Sequence, residues 1–277
     1  MALPRERLGE ERRWVRTVDL DRARPYAAAT NDPNPAYLDG TYAPPLFGVV
    51  PTWEAFQAIC DDLVPLELNP MMLHAEHDMR FHRPLVPGMT LSTTSRGYSY
   101  RVARSGTWIT ALIASEDHTG QPVLDQFATV FVRTMQGAGD WGPERPAHGF
   151  PEGAREHLRA EVKRHVDDDQ TFRYRDASGD ANAIHVDEEF ARAAKLPGII
   201  LHGLCTMAMC GSAVIDEVAG RDPARLARLA VRFSKPVFPG NDLLVSLYGE
   251  GSDGTWAFEA TAGGNKVVRD GLAELRD

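Results

Sequence analysis

The chain has 277 residues, 43% of them hydrophobic and 25% charged, the composition of an ordinary globular protein with room for one large domain or two small ones. Thirty Lys and Arg against thirty-nine Asp and Glu give a net charge of −9, so neither nucleic acid nor an anionic membrane is expected as the main partner. The N-terminal "MALPRERLGEERRW" carries charges where a signal peptide needs an apolar core, and no apolar run approaches the roughly 20 residues that span a bilayer, so a soluble cytoplasmic protein is expected.

The first predicted element is a helix over 51–64, "PTWEAFQAICDDLV". Strand-like runs follow at 74–81, 90–102, 107–116 and 123–134, separated by short turns. Residues 136–153, "QGAGDWGPERPAHGFPEG", are rich in Gly and Pro without periodicity and are expected to form an exposed linker. Then comes a polar turn, "SGDANAIHVDEEF" (178–190), running into a short helix with Asp187 as N-cap and Phe190 and Ala194 on its apolar face. The run 203–220, "GLCTMAMCGSAVIDEVAG", is apolar around its circumference, so a buried helix is expected. Four more strand-like runs, at 228–237, 243–251, 255–263 and 266–275, complete the chain. Helices beside antiparallel strands make an α+β layer architecture. Cys60, Cys205 and Cys210 match no metal or redox spacing and are expected as small buried thiols.

This order occurs twice because the sequence does. At a shift of 148, Val18, Asp19, Asp21, Tyr26, Ala29, Asp32 and Asn34 fall on Val166, Asp167, Asp169, Tyr174, Ala177, Asp180 and Asn182. At a shift of 152, "RFHRPLVPGMTL" (80–91) matches "RFSKPVFPGNDL" (232–243). "GTW" then recurs at 106–108 and 254–256, again at 148. A diverged tandem duplication leaves this pattern. The expected organisation is a first repeat over 1–135, a linker over 136–158 and a second repeat over 159–277, the two packed on one another because each is small.

The copies differ where chemistry is most readily placed. His185 of the second copy corresponds to Tyr37 of the first, and Gly203 to Pro51, which has no N–H to offer. A site intact in one copy and stripped in the other is the pattern of a single active site. Asp180 and His185 together could grip one water, deprotonate it and return a proton elsewhere. Gly203 at a helix N-terminus would present a free N–H, with the helix dipole behind it, to a developing oxyanion. Asn182 either fixes that geometry or closes the turn. This set suits addition of water to a double bond conjugated to a carbonyl.

At these residues the sequence resembles the MaoC-like, (R)-specific enoyl-CoA hydratases of the two-repeat, double hotdog type. The resemblance rests on "SGDANAIHVD", "PGIILHGLC" and the paired "RF-x-x-P-x-x-PG" runs, and it covers both halves. Ala183 departs from it, standing where the family usually has proline. The resemblance implies a curved antiparallel sheet wrapped around a long helix in each half, and reversible hydration of a trans-2-enoyl thioester to the (R)-3-hydroxyacyl thioester. It also implies Asp180, Asn182, His185 and Gly203 as the catalytic set. The degenerate first half would make room for a long or bulky acyl group, with Trp53, Phe56 and Met71 as lining or ordinary core.

The acyl carrier, CoA or acyl carrier protein, stays open, as does the acyl group, whether fatty chain, sterol side chain or polyketide. A non-catalytic acyl-binding protein is the rival reading, and a homodimer is compatible with either. No cofactor is expected beyond the thioester substrate, and no metal. Strand alternation would place His74, Glu76, Asp78, Arg80 and His82 on one face and His77 on the other, in a spacing that fits no standard zinc site. Arg80, Arg83, Arg232 and Lys235 could meet the phosphates of a CoA carrier or be solvated strand charges. Neither a nucleophile elbow nor a phosphate-binding Gly loop is present.

Overall fold

A computed structural model describes residues 8–137, 139–249 and 253–277, with side chains 69–71 outside the description. One antiparallel sheet of ten strands runs through the molecule in the order β1-β3-β4-β5-β2-β7-β10-β9-β8-β6. The first five are β1 (Arg12–Thr17), β2 (Met72–Phe81), β3 (Thr90–Ala103), β4 (Gly106–Glu116) and β5 (Pro122–Arg133). Their counterparts are β6 (Leu158–His165), β7 (Leu226–Phe233), β8 (Asp242–Tyr248), β9 (Thr255–Ala262) and β10 (Asn265–Leu275). The order on one side of the β2–β7 seam mirrors that on the other, as a two-fold repeat requires.

The repeated Pro-Gly pairs explain part of this likeness. In both, the glycine takes a left-handed φ, +87° at Gly88 and +77° at Gly240, as the third residue of a turn with proline second. Gly88 N–H then bonds Val18 O and Gly240 N–H bonds Val166 O, each at 2.8 Å. The same device ties each repeat's opening segment to the turn that leads into β3 or β8.

Both long helices appear. The first, α3 (Trp53–Leu63), is amphipathic and buries Ala55, Ile59, Cys60 and Leu63. The second, α6 (Gly203–Val218), buries twelve of its sixteen residues and sits inside the main core with β7 and β8. All three cysteines are free and buried, as expected, and burial pushes the Cys60 and Cys210 thiols up to about 12. Two shorter helices, α1 (Leu20–Ala29) and α4 (Gln170–Ser178), occupy the duplicated segment that begins at Val18 and Val166. They pack on each other, bringing Tyr26 Oη to 3.3 Å from Tyr174 Oη across the repeat axis. The four-residue α2 (Pro35–Leu38) and α5 (Glu188–Ala193) follow them. Asp187 caps α5 as expected, accepting from Glu189 and Phe190 N–H, yet the buried side chain is Ala191, while Phe190 and Ala194 face outward.

β2 also departs from expectation. A bulge between His74 and Glu76 breaks the alternation, so His74 turns to the side of His77, with Nε2 3.1 Å from His77 Nδ1. Glu76 and Asp78 instead meet cations: Arg145 and Arg232 on Glu76, and Arg228 on Asp78. The linker is therefore docked. Arg145 and the buried His148 lie on the seam, and His148 Nδ1 is 2.8 Å from Asp270 O. No helix of the described residues is long and apolar enough to cross a membrane.

Candidate active site

The segments 178–187 and 199–203 build one corner of the second repeat. Gly179, at φ +85°, ends α4 and turns the chain into the Asp-x-Asn loop. There Asp180 Oδ1 accepts from Asn182 N–H at 3.2 Å, and Asn182 Oδ1 accepts from Ile184 N–H at 3.3 Å. The first copy repeats both bonds, with Asn34 N–H on Asp32 at 3.2 Å and Ala36 N–H on Asn34 at 3.1 Å. The motif is thus a turn in both copies, and Asn182 closes it. What differs is what the turn carries.

In the second copy the turn delivers His185, buried, against the segment ahead of α6. A carbonyl only accepts, so the 2.8 Å contact between His185 Nδ1 and Ile200 O places the proton on Nδ1 and leaves Nε2 as a bare base. Ile200 N–H in turn bonds Ile184 O at 3.2 Å, and Leu201 N–H bonds Val237 O at 2.8 Å, which anchors the segment to the connection between β7 and β8. His202 stacks on His185 with ring centroids 3.8 Å apart at 25°, and its Nε2–H donates to Asp180 O at 3.0 Å. Gly203 opens α6, so its N–H belongs to the turn whose donors the helix itself cannot satisfy. The Phe233 ring lies 3.4–3.5 Å from where a Cβ on Gly203 would stand.

Asp180, His185 and His202 each bring one oxygen or ring nitrogen within 4.8 Å of the others. Two acceptors sharing a single water stand ~4.5 Å apart at ordinary hydrogen-bond lengths, so groups gathered within 4.8 Å are close enough for one water to join Asp180 and His185. The same three groups are common metal ligands, but two nearly parallel stacked rings do not aim their in-plane lone pairs at one ion. Burial pushes Asp180 above the usual carboxylate range, against the pull of His185 and the Asn182 N–H. Burial likewise holds His185 below the usual imidazole value, against the pull of Asp180 and the Ile200 carbonyl. His202 is held to about 3 by burial and the neighbouring His185, and stays neutral.

The first copy has none of this. Tyr37 is fully buried, with a hydroxyl that has no partner among the described residues. Pro51 stands two residues before α3, in the turn that leads into it. Of the expected phosphate cations, three are engaged within the chain. Arg83 bonds Asp117 at 2.8 Å, Arg232 bonds Glu76 at 2.8 Å, and Arg80 lies over Phe127 with Asp78 at 3.9 Å. Lys235 is exposed, two residues beyond Phe233, with no ion pair among the described residues. Phe56 and His74 stack at 5.6 Å, and His74 meets Phe233 at 5.3 Å, so a partly buried aromatic row leads from Gly203 into the first repeat. Trp53 joins it through Phe56, whereas the Met71 side chain lies outside the described residues. His202 and Phe233 went unremarked in the sequence. Comparing the two copies at a shift of 152, where His202 faces Val50, was the signal that could have found the first of them.

A two-repeat sheet that brings a carboxylate and an imidazole together beside a helix-opening glycine has the parts of an acid–base site with an oxyanion donor at hand. Comparison with known proteins agrees. Residues 150–268 match the MaoC like domain, and residues 10–126 match the FAS1-like dehydratase domain region. A probable enoyl-CoA hydratase 2 of Dictyostelium discoideum is 29% identical over 76% of this chain and 72% of its own length. The 3-hydroxyacyl-thioester dehydratase Y of Mycobacterium tuberculosis is 34% identical over 63% of this chain and 61% of its own. The crystal structure of a MaoC-like dehydratase from Phytophthora capsici superposes with a TM-score of 0.88 at 26% identity, covering 98% of this chain and 97% of that one. The second half of the chain thus matches the MaoC like domain and the first half a dehydratase region, and the whole chain has the double hotdog form of the MaoC-like dehydratases.

Proposed function

We propose that this chain is an (R)-specific hydratase, a carbon–oxygen lyase that adds water to trans-2-enoyl-CoA to give (R)-3-hydroxyacyl-CoA. Asp180 and His185 are its acid–base pair and the Gly203 amide its oxyanion donor. The observation that carries the reading is the His185 Nδ1–Ile200 bond, which leaves Nε2 as an unprotonated base on a ring that has one nitrogen within 4.8 Å of an Asp180 oxygen. The thioester oxygen accepts from Gly203 N–H, which draws electrons from C3. Water held between the pair attacks C3 and gives one proton to the pair. The enolate then collapses, and C2 takes a proton back from the pair. Because one pair serves both transfers, oxygen and hydrogen add to the same face. Asn182 holds the turn, and Lys235, exposed and without an ion pair among the described residues, is the cation we assign to a carrier phosphate. The reading takes the enzyme as cytoplasmic and calls for no cofactor beyond the thioester.

Purified protein challenged with crotonyl-CoA, a long-chain enoyl-CoA and a bulky enoyl-CoA should consume at least one, seen as loss of the enoyl thioester absorbance with an (R)-3-hydroxy product. Retained acyl-CoA binding with no turnover of any of them would overturn the reading in favour of a non-catalytic acyl-binding protein. Turnover of the acyl-carrier-protein thioester alone would move the carrier assignment.

Turnover needs Asp180 ionised and His185 neutral. Burial opposes the charge on both groups, raising Asp180 and lowering His185, so the pair is in its working state at neutral pH and takes up a proton only on acidification. The expected kcat/KM profile is level at neutral and mildly alkaline pH and falls on acidification. A profile that stays level down to the onset of acid unfolding would contradict it.

Asp32, the first-copy counterpart, should behave oppositely under mutation. Burial raises its carboxyl to about 6, so the folded chain takes up that proton more readily than the unfolded chain does. Wild-type stability on this account is lost as pH rises from about 4 to 6. Asp32→Asn keeps the oxygen that receives Asn34 N–H and removes the charge. It should leave turnover unchanged and raise stability at pH 8 by on the order of 1 kcal/mol, a gain that disappears by about pH 4. Denaturant titrations at the two pH values, with parallel assays, check this. A large loss of turnover would mean that both copies take part.

A further inference from the structure

His202 is the buried polar group closest to the pair that the chemistry above does not use. At the shift of 152 that sets Gly203 against Pro51, His202 stands against Val50, so it is a third position, beside His185 and Gly203, where the first copy has lost the group. Its ring is only 1% exposed and forms the middle of a column, with Tyr174 at 4.8 Å on one side and His185 at 3.8 Å on the other. Nε2–H donates to the Asp180 carbonyl at 3.0 Å, and Nδ1 has no hydrogen-bond partner among the described residues. Tyr174 has its counterpart in Tyr26. The aromatic base of the column thus survives in both copies, and only the imidazole is specific to the second.

A buried acceptor without a partner is a burden to the fold, and valine at the same position of the first repeat carries none. Packing alone would therefore favour valine here too. We infer that His202 is a positioning residue for the acid–base pair. Its Nε2–H holds the backbone of Asp180, and its ring face fixes the plane of His185, so that carboxylate and Nε2 stay aligned on one water. Burial and the adjacent His185 keep it neutral, as a donor to a carbonyl on one nitrogen requires only one proton.

The inference rests on the hydratase reading, and three variants separate the two. His202→Val copies the first repeat. It should lower kcat by about ten- to a hundredfold, the usual cost of misaligned catalytic groups, while KM moves by less than about twofold. Its melting temperature should stay level or rise, because an unpaired buried acceptor has gone. His202→Gln restores a donor towards Asp180 without the stacking face, and His202→Phe restores the face without the donor. Each should recover part of the lost kcat. Steady-state kinetics with the best enoyl-CoA, circular dichroism and melting curves on the full chain provide the readings. His202→Val with parental kcat, while Asp180→Asn is inactive, overturns the positioning role alone. So does a loss that comes with a lowered melting temperature and is not relieved by either restoring variant. If Asp180→Asn also keeps parental activity, the hydratase reading falls with it.

Discussion

Asp180→Asn and His185→Asn should each lower turnover by ~10²–10⁴-fold in a protein that still folds, the range expected for positioned acid–base groups. The structure makes these clean substitutions. Asparagine at 180 keeps the oxygen that receives Asn182 N–H and removes a carboxylate that burial already disfavours. Asparagine at 185 puts its amide nitrogen near the position of Nδ1, so the bond to Ile200 O is preserved while the base at Nε2 is lost. His185→Gln, which places its amide nearer Nε2, should be equally inactive but less well anchored. Stopped or steady-state hydration assays beside melting curves test this. Near-normal turnover in either asparagine variant would remove the pair from the mechanism.

Gly203→Pro is expected to cost ~10²–10³-fold in turnover, roughly 2.7–4 kcal/mol of transition-state stabilisation, by deleting one oxyanion donor. It transfers to the active copy the residue that occupies position 51 of the other. The backbone can take it. Gly203 is the first residue of α6, where proline's missing N–H breaks no helix bond. His202, at φ −58° and ψ 135°, already has the extended conformation that a following proline demands. The Phe233 ring, 3.4 Å from the added Cβ, is in ordinary contact with it. Gly203→Ala is the control. It adds the same Cβ and keeps the N–H, so its loss should stay within about tenfold if the amide, and not crowding by Phe233, is what matters. Equal losses in both variants would assign the effect to space. A folded proline variant with parental turnover would end the oxyanion role.

Local pattern was sufficient for much of this molecule. The eight strand runs the sequence displays, the apolar run of α6 and the left-handed glycines of the Pro-Gly turns all depend on neighbours a few residues apart, and the chain itself supplies those neighbours. The duplication was equally legible, and with it the contrast between His185 and Tyr37 and between Gly203 and Pro51, because a repeat is a property of sequence alone. Tertiary structure decided the rest. The edge strands β1 and β6 are largely exposed and charged, so they carry no alternating apolar signal, and backbone pairing with β3 and β8 makes them strands. The helices α1 and α4 are polar on average and are stabilised by burying Tyr26 and Tyr174 against each other, 148 residues apart. The bulge in β2 appears only once β5 is beside it, and it is what turns His74 towards His77. The expected phosphate cations Arg83 and Arg232 found carboxylates delivered by strands or turns that no local pattern relates to them, and only Arg80 has its carboxylate, Asp78, two residues away on its own strand. His202 owes its place to the same cause. A histidine ahead of a helix is unremarkable in sequence, and only the folded chain lays its ring on His185 and its N–H on Asp180.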